Sequence, residues 1–270
     1  MKKSFAFTPK ILLIITFLLA LGASFFQLNP AIDTGRELYI PLRMLNGEVL
    51  YRDIVNIYGA LAYQVNALLY MVFGVNLNAL RIFGVLNSTL IIWIFMLICG
   101  EIFPKKNDIA EKSEQNGVWQ FAAIPLVVGV CSLGTFNYTL PYSFAMTYGL
   151  SAFLASVLFF IKFVKNDNPQ FAYYACLLAG IAVACKYDFL LFAFFLFGYI
   201  LVNKKISTVD VLISFASLVI VPFLSIGALF LQGMQMADLQ GAFALVKAIG
   251  RTYSLKYFYS HFSGACPCFA

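Results

Sequence analysis

Long apolar runs with almost no charge are the feature that most constrains the fold of this chain. A helix that crosses a bilayer needs about 20 predominantly apolar residues, with roughly 17–25 tolerated. Runs of this kind occupy residues 11–28, 79–103, 119–135, 142–164, 169–185, 187–202 and 208–231. The fifth and sixth are short and are separated only by Lys186, which is typical of one broken hairpin. We therefore predict an all-α, polytopic transmembrane protein with about seven spans.

The composition agrees with this class and excludes others. The chain is 62% hydrophobic and only 11% charged, whereas soluble domains carry about 25% charged residues. The net charge of +6 does not indicate a nucleic-acid partner, because no basic run contains interleaved aromatic residues. The lysines instead cluster in short loops, as membrane topology predicts. Membrane lipids are the expected surroundings of the chain.

The residues that usually hold metals or cofactors do not form a recognisable set. Most of the six cysteines lie inside apolar runs, and Cys266 and Cys268 are too close together for a zinc half-site. His261 is the only histidine. No Gly-x-Gly-x-x-Gly motif for a nucleotide is present. We predict no metal site and no cofactor.

Whether segment 59–75 crosses the membrane determines on which side of it each later loop lies. It is apolar enough to span, but Gln64 and Asn66 lie in its middle. If it lies on the membrane surface, the lysine clusters of the later loops fall on the same side as the N-terminus, which the positive-inside rule favours. If it spans, those clusters move outside. We therefore expect an interfacial helix at 59–75, with the preceding loop on the periplasmic or extracellular side.

These boundaries give one transmembrane domain over residues 1–270. An external loop with interfacial helices covers 29–78, and a polar cytoplasmic linker covers 104–118. Residues 232–260 read as an external loop that would lead to further spans. We therefore expect the chain to be the N-terminal portion of a longer protein, incomplete at its C-terminus.

Segment 33–53, directly behind the first apolar run, carries the chemistry-bearing side chains. Its charged residues are Asp33, Arg36, Glu37, Arg43, Glu48, Arg52 and Asp53. The first three have helical i, i+3, i+4 spacing, which predicts one charged helix face pointing away from the membrane. Pro41 is expected to bend or end this helix. The segment can be a solvated amphipathic loop, or it can supply a carboxylate base and cations for a phosphate.

The order of the motifs carries a resemblance to a known superfamily. After one apolar run come Asp33-Thr-Gly-Arg-Glu, Gly47-Glu-Val-Leu-Tyr-Arg-Asp, Tyr58-Gly-Ala-Leu-Ala-Tyr, Leu68-Leu-Tyr-Met-Val-Phe-Gly and Leu80-Arg81. This order resembles the polytopic GT-C glycosyltransferases. The most similar branch is the bacterial one related to dolichyl-phosphate-mannose protein mannosyltransferases and the lipid A aminoarabinose transferase. The resemblance covers residues 1–100 and continues loosely through Tyr138 to Lys186.

The resemblance implies a role for each candidate residue. In that family an acid of the first external loop deprotonates the acceptor hydroxyl, and the sugar donor is a polyprenyl phosphate. Asp33 is the implied base, Glu37 its helper and Asp53 the alternative acid. The implied substrate-binding residues are Arg36, Arg52, Tyr58, Arg81, Tyr138, Tyr142 and Lys186. The chain has Asp-Thr where many relatives have two adjacent acids.

Several of these residues have a plain structural interpretation as well. Arg81 can anchor a helix end by snorkelling. Lys186 and Asp188 can close a helical hairpin. Tyr138 and Tyr142 can be interface anchors.

The expected function is therefore a membrane glycosyltransferase. It would move a sugar from a polyprenyl-phosphate donor to a lipid or glycan acceptor of the cell envelope, on the outer face of the plasma (inner) membrane, with the N-terminus cytoplasmic. The alternatives are a non-enzymatic polytopic protein, such as a transporter or flippase component, and an inactive fragment. Charges that lie at the surface rather than inside the spans favour interfacial chemistry over translocation.

Overall fold

The computed structural model describes residues 33–102, 144–203 and 205–252, together with helical positions 14, 17, 18, 21 and 22 of the first apolar run. The side chains of residues 33, 34 and 249–252 lie outside the description. The helices are α1 (Asp33–Leu45), α2 (Leu61–Phe73), α3 (Leu77–Ile102), α4 (Phe144–Asn166), α5 (Pro169–Cys185), α6 (Leu190–Val202), α7 (Thr208–Leu231) and α8 (Met236–Thr252). A 3₁₀ turn, Tyr187–Phe189, joins α5 to α6.

The described part of the chain confirms the all-helical prediction, since it contains no strand beyond one isolated bridge between Leu50 and Ile54. Three of its helices, α3, α4 and α7, are long and apolar enough to cross a membrane. Helices α5 and α6 coincide with two further predicted spans but are shorter. The predicted span 119–135 and the linker 104–118 lie outside the described residues. The count of seven spans stays a prediction.

Helices α4 and α7 both pack against α5, and α3 packs on α4. Helix α4 runs antiparallel to it, and the Ser156 hydroxyl donates to the Ala175 carbonyl at 2.6 Å. Helix α6 folds back along α5, so that residues 193–200 pack against residues 172–179. This confirms the broken hairpin expected from the sequence.

Helix α7 packs closely on α5 because two residues allow it. Pro222 lies inside α7 and lacks the N–H that would bond the Leu218 carbonyl. Gly180 of α5 meets that carbonyl, and a Cβ at position 180 would overlap with it. A larger residue would therefore force the two helices apart.

The two ends of the bundle differ. At one end, which we call the lysine end, Lys162 and Lys165 lie near Glu101, and the Lys205 ammonium lies 2.7 Å from the Asp167 carboxylate. At the opposite end, the N-termini of α3 and α4 and the C-termini of α5 and α7 pack against α1 and α2. We call this the site end.

Helix α2 lies across the site end. Its first turn packs with Cys185 and Leu229, and its last turns pack with Leu80 and Phe144. All four of these partners lie at the ends of their own helices. With 13 residues, α2 is about 20 Å long, which is shorter than the bilayer core of about 30 Å.

Candidate functional site

Glu37 is a buried carboxylate at the centre of the site end. Its exposed fraction is 1%. One carboxylate oxygen accepts the Tyr63 hydroxyl at 3.0 Å and the Arg36 guanidinium at 3.2 Å. The other accepts the backbone N–H of Phe144 at 3.1 Å. A single side chain of α1 is thereby bonded to α2 and to the first residue of α4.

Burial raises the pKa of Glu37 from its ordinary value of 4.5 to about 7, against the opposing effects of Arg36, the Phe144 N–H and Tyr63. The charged form loses its hydration inside the protein, and these three donors replace only part of it. A carboxyl group with a pKa near neutral pH can exchange a proton under physiological conditions. The pKa of Glu37 is therefore close to neutral pH, while its carboxyl group is covered by Tyr63 and the start of α4.

The position of Glu37 differs from the sequence-based expectation. The helical spacing of Asp33, Arg36 and Glu37 is confirmed, and α1 continues through Pro41 instead of ending there. Glu37 does not lie on an open, charged face, because Tyr63 and the start of α4 cover it and leave it buried inside the protein. Asp33 begins α1, one turn before Glu37, and its side chain is outside the described residues.

Asp53 is held by its own neighbours. The Arg52 guanidinium donates to both of its carboxylate oxygens, at 3.0 and 2.8 Å, and the Val49 N–H donates at 2.8 Å. The hydrogen bonds from Arg52 and from the Val49 N–H lower the pKa of Asp53 to about 2. Arg52 also donates to the Gly233 carbonyl at 3.2 Å. Asp53 is therefore a weak proton acceptor that closes a turn.

Two cations from distant parts of the chain approach one aromatic ring. The Arg36 guanidinium lies 5.2 Å and the Lys186 ammonium 5.8 Å from the centroid of the buried Tyr58 ring. Their side chains keep exposed fractions of 30% and 23%, so both can be reached from outside. Arg36, Tyr58 and Lys186 thus form a partly open cationic site beside Glu37, and we call it the cation pair site.

The break between α5 and α6 puts Lys186 in this place. Helix α5 ends at Cys185, and Lys186 has an extended backbone before the 3₁₀ turn. Gly59 packs directly on this end of α5, where a Cβ would overlap with the Ala184 carbonyl. The Tyr58-Gly59 pair of the sequence motif therefore has a geometric reason: only glycine lets the Tyr58 segment reach the end of α5. Lys186 also pairs with Asp188 at 2.7 Å, as the hairpin interpretation predicts.

The polar residues within α2 make contacts that the sequence did not reveal. Gln64 exchanges two hydrogen bonds with Ser225 of α7, of 2.8 and 2.7 Å. The Tyr148 hydroxyl donates to the Asn66 side-chain carbonyl at 2.9 Å. Both pairs tie α2 to the long helices, which explains how an apolar segment can carry two amides.

A second missed feature is a buried chain of hydroxyl groups around Tyr51. The Tyr51 hydroxyl donates to the Tyr58 carbonyl at 2.6 Å and lies 3.0 Å from the Tyr187 hydroxyl. Tyr51 has a φ of +71°, a left-handed conformation that costs a residue with a side chain about 1–3 kcal/mol. The hydrogen bonds of its side chain and backbone hold it there. The sequence contains no pattern that predicts this contact, because Tyr51 and Tyr187 are 136 residues apart.

The structure does not bring the remaining predicted site residues to the cation pair site. Arg81 donates to the Asn78 side-chain carbonyl at 3.2 Å, at the start of α3. Tyr138 and Tyr142 lie outside the described residues. The structure therefore joins Arg36, Glu37 and Lys186 around Tyr58 and leaves Arg52 with Asp53.

Comparison of the chain with protein families, with curated proteins and with solved structures found no match. Among residues 33–102, 144–203 and 205–252, no group of three or more His, Cys, Asp or Glu side chains is arranged to hold a metal ion.

Proposed function

We propose that this protein is a membrane glycosyltransferase that moves a sugar from a polyprenyl-phosphate donor to a lipid or cell-envelope acceptor. The observation that carries the proposal is the cation pair site. Arg36 and Lys186 are 150 residues apart in sequence and approach the same Tyr58 ring, and Glu37 is bonded to one of them. An acid can take up the proton of an acceptor hydroxyl, and two accessible cations can bind the phosphate of a lipid donor.

The cations would bind the phosphate of the donor. Arginine offers five N–H donors in a planar fork that matches phosphate oxygens, and the Arg36 side chain is 30% exposed. The Asp188 partner of Lys186 is 74% exposed, so this ion pair is weakened by solvent and can open for a phosphate. When the anomeric carbon–oxygen bond to the phosphate breaks, both cations stabilise the departing anion.

The acids would handle the proton. A carboxylate near the acceptor hydroxyl takes its proton as the new glycosidic bond forms. Asp33 remains the proposed base, one helical turn from Glu37. Glu37 is the proposed helper, since its raised pKa allows it to exchange a proton at neutral pH. Asp53 is the weakest of the three candidates because its pKa is lowered to about 2.

We place the site end at the outer face of the plasma membrane. Lys162, Lys165 and Lys205 lie at the opposite end, which the positive-inside rule assigns to the cytoplasm. Helix α2 lies across the site end, and its outer side chains include Leu68, Met71 and Phe73, which are more than half exposed. Such a helix suits the membrane interface. This arrangement supports a cytoplasmic N-terminus and an external loop over residues 29–78.

Binding of a polyprenyl phosphate to the purified protein tests this proposal, with the corresponding polyprenol as the control ligand. We expect Arg36→Gln and Lys186→Gln each to weaken phosphate binding about tenfold or more, the value of a hydrogen bond to a charged group. Lys205→Gln is the matched control, because Lys205 also forms a 2.7 Å ion pair with an aspartate, at the lysine end.

Two results would contradict the proposal. One is equal binding of the polyprenol and its phosphate by the wild-type protein. The other is a loss of phosphate binding in Lys186→Gln no greater than in Lys205→Gln. Phosphate-specific binding without sugar transfer, measured with a glycosylated donor, would favour the non-enzymatic alternative.

A further inference from the structure

In the pair of hydroxyl groups formed by Tyr187 and Tyr51, the donor and the acceptor can be assigned. A tyrosine hydroxyl carries one hydrogen, and that of Tyr51 is donated to the Tyr58 carbonyl at 2.6 Å. In the 3.0 Å contact with Tyr187, Tyr51 must therefore accept, and Tyr187 must donate. Asn56 donates to the same Tyr58 carbonyl at 2.8 Å, which fills its two lone pairs. Each bond in this chain strengthens the next.

This chain joins the two segments that supply the cation pair site. Tyr187 directly follows Lys186, and Tyr58 provides the ring on which Lys186 and Arg36 converge. The Tyr187 ring also packs on Phe243 of α8, with ring centroids 5.3 Å apart. The hydroxyl contact therefore fixes the loop that carries Lys186 relative to the ring that both cations approach.

We propose that Tyr187 and Tyr51 are positioning residues that hold Lys186 beside the Tyr58 ring, which Arg36 also approaches, so that Lys186 can bind a lipid phosphate. The part of this inference that concerns the ligand rests on the proposed function. The part that concerns the position of Lys186 stands on the hydrogen bonds alone. Neither tyrosine touches the phosphate; each acts through the placement of Lys186.

Tyr187→Phe is the sharpest variant. It removes the hydroxyl that donates to Tyr51 and keeps the ring that packs on Phe243. Tyr51→Phe removes the same contact together with the bond to the Tyr58 carbonyl, so its effect should be at least as large. Tyr173→Phe is the matched control, because the Tyr173 hydroxyl donates to Asp210 at the lysine end.

The first readout is independent of any ligand. Competitive labelling with an amine-reactive reagent, read by mass spectrometry, gives the reactivity of Lys186 relative to Lys205 in the same molecule. Loss of one hydrogen bond should release Lys186 and raise this ratio about three- to tenfold in Tyr187→Phe. Tyr173→Phe should leave it unchanged. An unchanged ratio in both Tyr187→Phe and Tyr51→Phe would overturn the inference.

The second readout separates positioning from general stability. Affinity for a polyprenyl phosphate should fall about three- to tenfold in Tyr187→Phe, while affinity for the polyprenol should stay the same. Equal losses for both ligands would show a merely structural role and would overturn the inference. If the wild-type protein does not distinguish the two ligands, the proposed function fails, and the labelling ratio still decides whether Tyr187 positions Lys186.

Discussion

The buried Glu37 carboxyl should make the stability of this protein fall as pH rises. Its pKa is raised by burial from 4.5 to about 7, so the folded state holds the proton more tightly than the unfolded state. Stability is then fully present below about pH 4.5 and is lost as pH rises through about 7. At about 1.4 kcal/mol per pKa unit, the shift corresponds to a loss of about 3 kcal/mol.

Equilibrium unfolding in mixed detergent micelles between about pH 5 and pH 8.5 measures this slope. The Glu37→Gln variant resembles the protonated acid because it carries no charge: its carbonyl oxygen can accept the Phe144 N–H and its amide can donate to the Tyr63 hydroxyl. Like the protonated acid, it gives up the ion pair with Arg36. We expect the slope to vanish in this variant. Above about pH 8 the variant should be at least as stable as the wild type.

Two controls isolate the contribution of Glu37. Histidine as a residue type ordinarily titrates within this pH window, so all variants are made in a background in which His261, the only histidine, is replaced by Gln. Glu48→Gln changes a partly exposed acid of the same segment and should retain the wild-type slope. If Glu37→Gln keeps that slope, or if wild-type stability increases with pH across this window, Glu37 is not the group whose buried proton stabilises the fold.

Three further changes test other parts of the account. Asp33→Asn should abolish the proposed sugar transfer while leaving expression and topology intact; full activity would remove Asp33 as the proposed base. Gly180→Ala should destabilise the protein by about 1–3 kcal/mol in detergent unfolding, because the new methyl group overlaps with the backbone of α7, whereas Gly198→Ala, with open space around it, should not. Ser225→Ala breaks one hydrogen bond to Gln64 and should cost about 1 kcal/mol in the same assay; no loss would show that the pair does not hold α2 in place.

Hydropathy predicted the start of a helix well where a capping residue or a first-turn proline lies at the same position. Helix α5 begins at the predicted residue because Asn168 caps it and Pro169 fits its first turn. Helix α7 begins after Ser207, which forms a capping box with Asp210. Length and local capping are properties of short stretches of sequence, so such boundaries can be read directly from it.

The contacts of the candidate site could be predicted only in part. The sequence identified Arg36, Glu37 and Lys186 as functional candidates, but it placed Glu37 on an outward face. Which side of α1 becomes buried depends on Tyr63 and on the start of α4, and these partners are distant in sequence. The meeting of two cations at one ring likewise depends on the packing of α5 against the Tyr58 segment.

The proposed donor class is tested most directly by native mass spectrometry of the detergent-purified protein. We expect a polyprenyl phosphate, or its glycosylated form, to co-purify with the wild type and to be lost from the Lys186→Gln variant, while Lys205→Gln retains it. The mass of a glycosylated species would also identify the sugar. A folded wild-type protein that carries no such lipid, and takes none up when a polyprenyl phosphate is added, would contradict the account.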